Sequence, residues 1–527
     1  MRRNDLKQTW DIAVVGSGFA GSLLAMIARR LGHSVVLVER GTHPRVVIGE
    51  SSTPLSNLLI EELAERYDLP AIRPLAKWGS WQRDYPDVAC GLKRGFTFHH
   101  HRLGAQIAAN SSREDQLLVA ASPRDEIADT HWYRAHFDHF LVKAAQKLGV
   151  EYLDRVDLHT FTDESIGVVL AGSRDGQDIT LRARFVVDAT GPRGFLHHAL
   201  HLGESGLPGF PATQALYSHF SGVQQLAETP FHRTTDVPPY PIDDAAVHHV
   251  FDGGWVWVLR FGNGITSAGV AATGLVASEL RFDDGAAAWG RVLQQIPALR
   301  EQFAMAREEQ AFIHIPRLRF RSGAIAGPRW ALLPSAAGFV DPLLSTGFPL
   351  ALLGIERLAA TLEQDWGSAA FESRLQNYAE KTDRELLATA RLVAALYATM
   401  NNFPVFVALS LLYFAAASYS EAARRLGKPH LASSFLLCEH PVFGKASAAL
   451  FERAQRPMTR PESAELIRDV LTAIEPFNVA GLGRRERGNW YPVEARDLLE
   501  NAHKLEATRQ EVLAMLARCG FTAGSNA

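Results

Sequence analysis

The sequence predicts an α/β protein with a mixed sheet and a helical C-terminal region. The first observation is a βαβ pattern: apolar runs at residues 11–15 and 34–38 flank residues 22–31, whose apolar positions recur at helical spacing. The second is a change near residue 350, after which the apolar spacing is almost wholly helical. We therefore predict a sheet-containing body at residues 1–350 and a helical region at residues 351–527.

The remaining elements follow that division. Strand-like runs in the body include residues 184–187, 254–261 and 330–333. Helices are predicted at residues 351–364, 386–400, 405–426, 464–475 and 492–516. The most apolar window, residues 405–419, is shorter than the roughly 18 to 20 residues that span a bilayer. It predicts a buried helix and no stable membrane span.

Composition limits the classes of function. Of the 527 residues, 47% are hydrophobic and 21% are charged, which excludes a disordered chain. The 54 basic and 57 acidic residues leave a formal charge of -3, which argues against nucleic acid as a partner. Three widely separated cysteines and a charged start with no cleavable apolar segment predict a cytoplasmic protein. The oligomeric state is left open.

A glycine-rich turn follows the first predicted strand. Residues 16–21 read G-x-G-x-x-G, a pattern that lets backbone N–H groups and a helix N-terminus approach a pyrophosphate. Glu39 closes the second strand, where its carboxylate suits a ribose hydroxyl and disfavours a 2′-phosphate. A bare βα turn is the alternative. The motif predicts a dinucleotide but does not distinguish FAD from NAD.

Two later segments favour FAD. Residues 185–191 and residues 332–342 each join a strand to a turn of small residues. Both resemble motifs of the aromatic-hydroxylase-like FAD family, although that family's Gly-Asp pair is Pro334-Ser335 here. The resemblance implies a Rossmann-type FAD-binding fold of that class, with a mixed-sheet substrate region interleaved with it.

Four segments resemble those of flavin-dependent halogenases, with spacing closest to the phenol and phloroglucinol type. They are G-E-S-S-T-P at 49–54, C-G-L-K-R-G-F-T-F at 90–98, G-W-V-W-V at 254–258 and G-F-V-D-P-L-L-S-T-G at 338–347. The resemblance implies an enzyme of secondary metabolism, such as antibiotic biosynthesis. In that family, FAD reduced by a separate flavin reductase reacts with O2 to give a flavin hydroperoxide. The hydroperoxide then oxidises chloride or bromide to hypohalous acid.

Lys93 is the predicted catalytic residue. On a single strand over residues 90–98, Gly91 and Gly95 share a face with Lys93 and leave room around its amine. A solvated lysine is the alternative, and Lys77 beside Trp78 is a rival candidate. The resemblance assigns to Lys93 the role of receiving hypohalous acid and presenting the halogen to an aromatic substrate.

Two tryptophans are predicted to form a barrier. Trp255 and Trp257 are two apart, so on a strand both indoles project to one face. Such a wall would keep an organic substrate away from the flavin, whereas ordinary core packing is the alternative. The family continues Ile-Pro where this chain has Leu259-Arg260.

A turn before a helix is the predicted halide site. The resemblance places chloride or bromide near Thr346 and Gly347, where exposed N–H groups suit a small anion. A side-chain helix cap by Ser345 or Thr346 is the alternative. Tryptophan-type halogenases have a glutamate just before this serine, but this chain has Leu344. A general base must therefore lie elsewhere or be unnecessary.

The substrate prediction follows from that missing glutamate. A phenol or resorcinol is activated by its own oxygen, so an electron-rich substrate of this kind is favoured. The histidines at 99–101 and His131 are candidate bases or donors. No metal site is predicted.

The resemblance also assigns the cofactor contacts. These residues are Gly16, Gly18, Ala20, Gly21, Glu39, Arg40, Gly49, Glu50, Ser51, Arg134 and Asp341. For Arg134, an ion pair with Asp138 four residues on is an equal interpretation. Two alternatives to a halogenase are an aromatic hydroxylase on the same fold and a non-catalytic flavin-binding protein.

Overall fold

The computed structural model describes residues 4–105, 113–229 and 236–521. Its strands are β1 (Asn4–Val15), β2 (Val35–Val38), β3 (Cys90–Lys93), β4 (Gly95–His100), β5 (Gln116–Ala120), β6 (Asp129–Trp132), β7 (Glu151–Leu153), β8 (Val156–Glu164), β9 (Gly167–Arg174), β10 (Gln177–Asp188), β11 (Thr213–Ser221), β12 (Ala246–Phe251), β13 (Gly254–Arg260), β14 (Ile265–Thr273), β15 (Arg307–Glu308), β16 (Ile313–Ile315), β17 (Phe320–Arg321), β18 (Ala326–Gly327), β19 (Trp330–Leu332), β20 (Gly338–Phe339) and β21 (Trp490–Tyr491).

The α-helices are α1 (Phe19–Arg30), α2 (Pro54–Arg66), α3 (Trp78–Asp84), α4 (Arg134–Lys147), α5 (Phe195–Ala199), α6 (Gly274–Glu279), α7 (Ala286–Gln295), α8 (Pro297–Gln302), α9 (Pro334–Ala337), α10 (Gly347–Asp365), α11 (Phe371–Ala398), α12 (Phe403–Arg425), α13 (Phe443–Ala454), α14 (Arg460–Ile474), α15 (Ala495–Glu500) and α16 (Arg509–Arg518).

The first sheet contains the predicted βαβ unit. Its described parallel strands run in the order β19-β10-β1-β2-β7, with α1 crossing from β1 to β2. The four residues of β2 are all buried, as expected for a strand covered on both faces. The carboxyl ends of β1, β2 and β10 meet at one edge, which is where open α/β sheets bind ligands.

The second sheet is mostly antiparallel. Its described strands run β15-β11-β14-β13-β12-β4-β5-β21. Alternation along β4 and β13 directs Phe98, Trp255 and Trp257 into the main core, whereas Val256 and Val258 pack in a second core with α7 and α8. One face of this sheet therefore adjoins the edge where the first sheet ends.

The C-terminal helices pack onto both sheets. Two helical segments, Leu343–Asp365 and Phe403–Arg425, are long and apolar enough to cross a membrane. However, 72% and 83% of their apolar windows are buried inside the protein. This is the behaviour of core helices, and it matches the burial predicted for residues 405–419.

One prediction for the C-terminal region is wrong. The helix predicted over residues 492–516 is broken, because Glu506 adopts a left-handed conformation with φ 51° and Thr508 starts a new helix with a capping box to Glu511. The described part of the region is otherwise almost wholly helical, as predicted, although Trp490 and Tyr491 form β21 and pair with β5. Local apolar spacing cannot detect a two-residue strand that forms only against a distant partner.

Candidate functional site

The glycine-rich turn after β1 is shaped by close backbone contacts. Gly16 has φ +100°, and a Cβ there would lie 2.7 Å from the carbonyl carbon of Ala189. A Cβ on Gly21 would lie 2.0 Å from the oxygen of Gly16. Gly18 has more space around it, because the atom nearest to a Cβ added there would be the Nη2 of Arg134, at 3.6 Å. Two of the glycines therefore permit the turn, and the third leaves space above it.

Glu39 holds the end of this turn in place. Its Oε2 accepts hydrogen bonds from the Ser17 backbone N–H at 3.1 Å and from the Ser17 hydroxyl at 2.8 Å. Arg45 forms an ion pair with the same oxygen at 3.2 Å. Burial acts to raise the pKa of Glu39, but Arg45 and the backbone donors lower it overall below its ordinary value. Sequence reasoning missed Ser17 and Arg45 because neither belongs to the glycine pattern.

Two adjoining cavities form one long cleft along the carboxyl ends of the first sheet. One has a volume of about 480 Å³ and is lined by Gly16, Glu39 and Arg40. The other has a volume of about 460 Å³ and extends between the two sheets. Arg45 and Thr190 line both. All the predicted cofactor residues except Gly21 line this long cleft, which has the length and the glycine turn that a dinucleotide cofactor requires.

Arg134 forms the ion pair with Asp138 predicted from the sequence, while its contact with a cofactor stays a prediction. Its guanidinium makes two hydrogen bonds of 2.8 Å to the buried Asp138 carboxylate and one of 2.8 Å to the Gly49 carbonyl. It also lines the long cleft beside Gly18. The ion pair thus fixes a buried cation against the cleft wall. Nearby, Glu50 pairs with His219 of β11 at 2.8 Å, a contact that no local motif predicted.

The two tryptophans of β13 share a face, as predicted, and both line the long cleft. Their ring centroids are 5.6 Å apart. The Trp255 indole N–H donates to Asp341 at 3.2 Å, and the Tyr397 hydroxyl donates to the same carboxyl group at 2.9 Å. Burial raises the pKa of Asp341 to about 7. Tyr397 comes from α11, so the C-terminal region helps to fix this wall.

The turn before α10 is strained. Leu344 and Ser345 are successive non-glycine residues with φ 64° and φ 54°. Thr346 precedes the helix without a side-chain capping bond, so the interpretation of Thr346 as a side-chain cap is wrong. Thr346 and Gly347 both line the long cleft. The first turn of α10 therefore faces the same space as the tryptophans.

The strand expected over residues 90–98 is divided at Arg94. β3 ends at Lys93 and pairs with β6, whereas β4 begins at Gly95 and belongs to the large second sheet. A Cβ on Gly91 would lie 1.9 Å from the Arg260 oxygen, and one on Gly95 would lie 2.3 Å from the Val119 oxygen. The glycines therefore permit close backbone approach. The prediction that they make room for the amine of Lys93 is wrong.

Lys93 nevertheless lies in an unusual environment for a lysine. It is fully buried, and its Nζ donates to the Ser51 hydroxyl at 2.9 Å and to the Ser52 carbonyl at 2.5 Å. The ring of Phe96 lies 3.8 Å from the same nitrogen. Burial lowers the pKa of Lys93, while the Asp129 carboxylate acts in the opposite direction. The rival Lys77 is instead partly exposed and paired with Glu61 at 3.1 Å.

A second cavity of about 180 Å³ lies next to Phe96, whose ring lies 3.8 Å from the Lys93 Nζ. It is bounded by β4, the start of α2, and the C-terminal helices α12 and α16. Its lining includes Thr53, Phe96, Tyr413, Phe414, Met515 and Leu516. Ser51, which accepts from Lys93, lines the long cleft, whereas Phe96 lines the second cavity. Lys93 itself lines neither space, but two of its contacts lie on different spaces, whereas the rival Lys77 lines the second cavity directly.

The histidines proposed as bases do not line either space. His101 is hydrogen-bonded to His249 at 2.9 Å, and His100 lies 3.6 Å from Asp115. Burial lowers the pKa of His131 to about 3. His248, which the sequence did not single out, lines the long cleft against Trp255. The other histidines were selected because the pKa of an imidazole can lie near neutrality, and residue type says nothing about where the fold places a side chain.

Comparisons with known proteins identify the family. The family model described as tryptophan halogenase matches residues 128–403, more than half of the chain. The chain therefore belongs to this family of flavin-dependent halogenases, which are enzymes, and that prediction is confirmed.

Individual relatives agree with this assignment. The chain is 27% identical over 419 residues to the monodechloroaminopyrrolnitrin halogenase of Pseudomonas fluorescens, covering 77% of this chain and 70% of the relative. It is also 27% identical over 427 residues to the tetracycline 7-halogenase of Kitasatospora aureofaciens, covering 77% and 73%.

The fold matches that of the halogenase PltM, solved in complex with phloroglucinol and FAD. The TM-score is 0.70 at 23% identity, over 98% of this chain and 99% of that one. The predicted fold class is thereby confirmed.

Proposed function

We propose that this protein is an FAD-dependent enzyme that chlorinates or brominates a phenol- or resorcinol-like substrate, with Lys93 as its catalytic residue. The proposal rests on one observation: the buried Lys93 contacts both spaces through its neighbours, because its acceptor Ser51 lines the long cleft and the ring of Phe96 lines the second cavity. A small oxidant passing from the first space to the second would meet the Lys93 ammonium on its way.

The long cleft fits FAD. Glu39 and Arg40 would hold the adenosine end, and the turn at residues 16–21 would receive the pyrophosphate, with Arg134 beside Gly18 as a fixed cation. Gly49, Glu50 and Asp341 would contact the flavin end. When bound and reduced, FAD supplies the activation of O2 that oxidises a halide to hypohalous acid.

The first turn of α10 would bind the halide. Thr346 and Gly347 face the long cleft, and a helix N-terminus offers backbone N–H groups to a small anion. Trp255 and Trp257 would keep a planar organic substrate out of this cleft while leaving the halide in place. The left-handed conformations at Leu344 and Ser345 orient this turn.

The second cavity would bind the aromatic substrate. Its walls are mainly apolar, with the rings of Phe96, Phe414 and Tyr413 available for packing. Phloroglucinol is the aromatic compound in the PltM complex, and an electron-rich ring of this kind needs less assistance from a base. This accounts for Leu344 at the position of the missing glutamate. Substitution is balanced as aromatic C–H plus hypohalous acid giving aromatic C–halogen plus water.

Reduction of FAD by a separate reductase and a cytoplasmic location are parts of the same proposal.

An aromatic hydroxylase would instead require its substrate to enter the long cleft and meet the flavin directly. The presence of a second, aromatic-lined cavity beyond Lys93 favours halogenation over hydroxylation.

The test is a coupled assay with FAD, a flavin reductase, NADH, bromide and a panel of phenols, read by mass spectrometry for bromine isotope doublets. Lys93→Ala should abolish the brominated product while oxidation of reduced FAD continues. Lys143→Ala, which removes an exposed lysine of α4, is the matched control and should leave bromination unchanged.

Two results would contradict the proposal. Continued bromination by Lys93→Ala would remove Lys93 from the mechanism. Hydroxylated products in place of brominated ones would favour the hydroxylase.

A further inference from the structure

The residue opposite Lys93 is a buried carboxylate. β3 and β6 are antiparallel neighbours, and their register places Lys93 directly across from Asp129. Side chains of residues paired in this way project from the same face of the two strands. Asp129 is buried, with an exposed fraction of 5%. The catalytic lysine of the proposed reaction therefore has an acidic neighbour that lies outside the four segments from which the sequence resemblance was drawn.

Asp129 is only partly satisfied by hydrogen bonds. Its Oδ1 accepts from the Asn57 amide at 2.8 Å. Its Oδ2 is buried and has no hydrogen-bond partner within residues 4–105, 113–229 and 236–521. A buried carboxylate without a compensating charge is costly, so a cation close by is needed to keep it ionised. Lys93 is the basic group that faces it across the strand pair.

The other neighbours of Lys93 also favour its charged form. The Ser51 hydroxyl and the Ser52 carbonyl accept hydrogen bonds from its Nζ, and the Phe96 ring attracts a cation. His131 and His248 lie close enough to repel it, but burial lowers the pKa of each to about 3. Both imidazoles are therefore uncharged at neutral pH.

Three groups of α12 interact electrostatically with Asp129. Tyr413 lines the second cavity, while Glu421 and Arg425 form an ion pair at 2.7 Å. Burial raises the pKa of Asp129 above its ordinary value, and Lys93 opposes that rise. Glu421 raises the pKa further and Arg425 lowers it, each to a lesser degree than burial and Lys93. Their charges offset one another, which leaves Lys93 as the main partner.

We propose that Asp129 is the counter-charge that keeps Lys93 in its ammonium form, so that Lys93 acts on hypohalous acid as a hydrogen-bond donor. Asp129 is in this sense a positioning residue, because it acts through Lys93. As the oxygen–halogen bond breaks, its electron pair stays on the oxygen, which takes a proton from Lys93 and leaves as water. The proton lost by the ring carbon then returns to Lys93.

The first test is the pH profile of Asp129→Asn, measured as brominated phenol formed per flavin oxidised. Removal of the carboxylate lowers the pKa of Lys93, so the ammonium is lost at lower pH. We expect the alkaline limb of the profile to move down by about 1 to 3 pH units, the usual effect of an opposite charge at this range. Flavin oxidation should keep its own profile.

Two control variants separate charge from packing. Asp163→Asn removes an exposed carboxylate of β8 that pairs with Arg329, and it should leave the limb in place. Asn57→Ala removes the hydrogen-bond donor to Asp129 but keeps the charge, so the limb should also stay while stability falls. If the alkaline limb of the Asp129→Asn profile lies at the same pH as that of the wild type, the proposal is wrong. It is also wrong if Asp129→Asn brominates at low pH where the wild type does not.

The second test does not depend on activity. In protein with 13C-labelled lysine, the Cε signal of Lys93, assigned by its loss in Lys93→Ala, should titrate at higher pH in the wild type than in Asp129→Asn. An uncharged Lys93 at pH 7 in the wild type, or equal titration in both proteins, would refute the inference. The inference rests on the proposed function, but its failure is distinguishable. If Lys93 is an ammonium and no phenol is halogenated, the proposed function fails alone.

Discussion

At the scale of single residues, burial decides which titratable groups are unusual. Lys93 and Asp341 are both fully or nearly fully buried, and each is surrounded by specific donors or acceptors. Asp341 accepts from the Trp255 indole, the Tyr397 hydroxyl and the backbone N–H of Leu343. These donors do not fully offset the desolvation of its charge, which is why its pKa rises to about 7.

This raised pKa predicts how Asp341 affects stability. Between its ordinary value of 3.8 and about 7, the folded protein keeps the Asp341 proton while the unfolded chain loses it. Stability contributed by this group therefore falls as pH rises through that window. Asp341→Asn lacks the effect, so its melting temperature should improve relative to the wild type from pH 4 to pH 7. Thermal unfolding of the FAD-free proteins measures this difference, and a flat or declining difference would contradict the prediction.

At the scale of elements, α12 and α16 form the outer wall of the second cavity. Met515 and Leu516 of α16 line the cavity, whereas Leu513 on the same helix is half exposed to solvent. Helical spacing alone puts Leu513 on a different side of α16 from Met515 and Leu516. The rest of the cavity wall, however, comes from β4 and α2, which are far away in the sequence.

Filling that cavity should weaken substrate binding alone. Met515→Trp fills part of the space that the phenol would occupy, so we expect roughly a ten- to hundredfold rise in KM for the phenol, equivalent to about 1.4 to 2.7 kcal/mol of binding free energy. Leu513→Trp makes the same kind of change on the solvent side and should leave KM unchanged. Steady-state kinetics give KM, and FAD oxidation without substrate reports on the long cleft. Equal effects of the two variants would show that α16 does not bound the substrate site.

At the scale of the whole molecule, a partly buried ion pair connects the C-terminal helices to the body. Arg424 of α12 contacts Glu62 of α2 in the body and Glu356 of α10 in the C-terminal region, each at 2.5 Å, and its side chain is 9% exposed. These contacts join segments about 360 and 70 residues apart along the chain. The division at residue 350 remains a prediction, because β21 and Tyr397 show that the C-terminal region also completes the sheet and the cleft.

Loss of this connection should destabilise the whole chain. Arg424→Ala leaves two partly buried carboxylates without their cation, and we expect a loss of about 1 to 3 kcal/mol in the free energy of unfolding. Arg456→Ala breaks an exposed i,i+4 pair with Glu452 and should cost about 0 to 0.5 kcal/mol. Denaturant unfolding measures both. If Arg424→Ala unfolds the C-terminal helices separately, the two regions are independent domains.

The sequence by itself determined the parts of this protein that depend on neighbouring residues. The βαβ unit, the glycines at 16–21, Glu39 at the end of β2 and the shared face of Trp255 and Trp257 all follow from short-range spacing. The same spacing misjudged residues 90–98, because the chain passes between two sheets at Arg94, and each sheet is completed by distant strands.

Only the tertiary structure decided what surrounds these residues. It placed Asp129 opposite Lys93, Tyr397 on Asp341 and α16 over the second cavity. Each of these contacts joins segments that are distant along the chain. Burial and electrostatic interaction depend on distance in space, so no pattern of adjacent residues contains them.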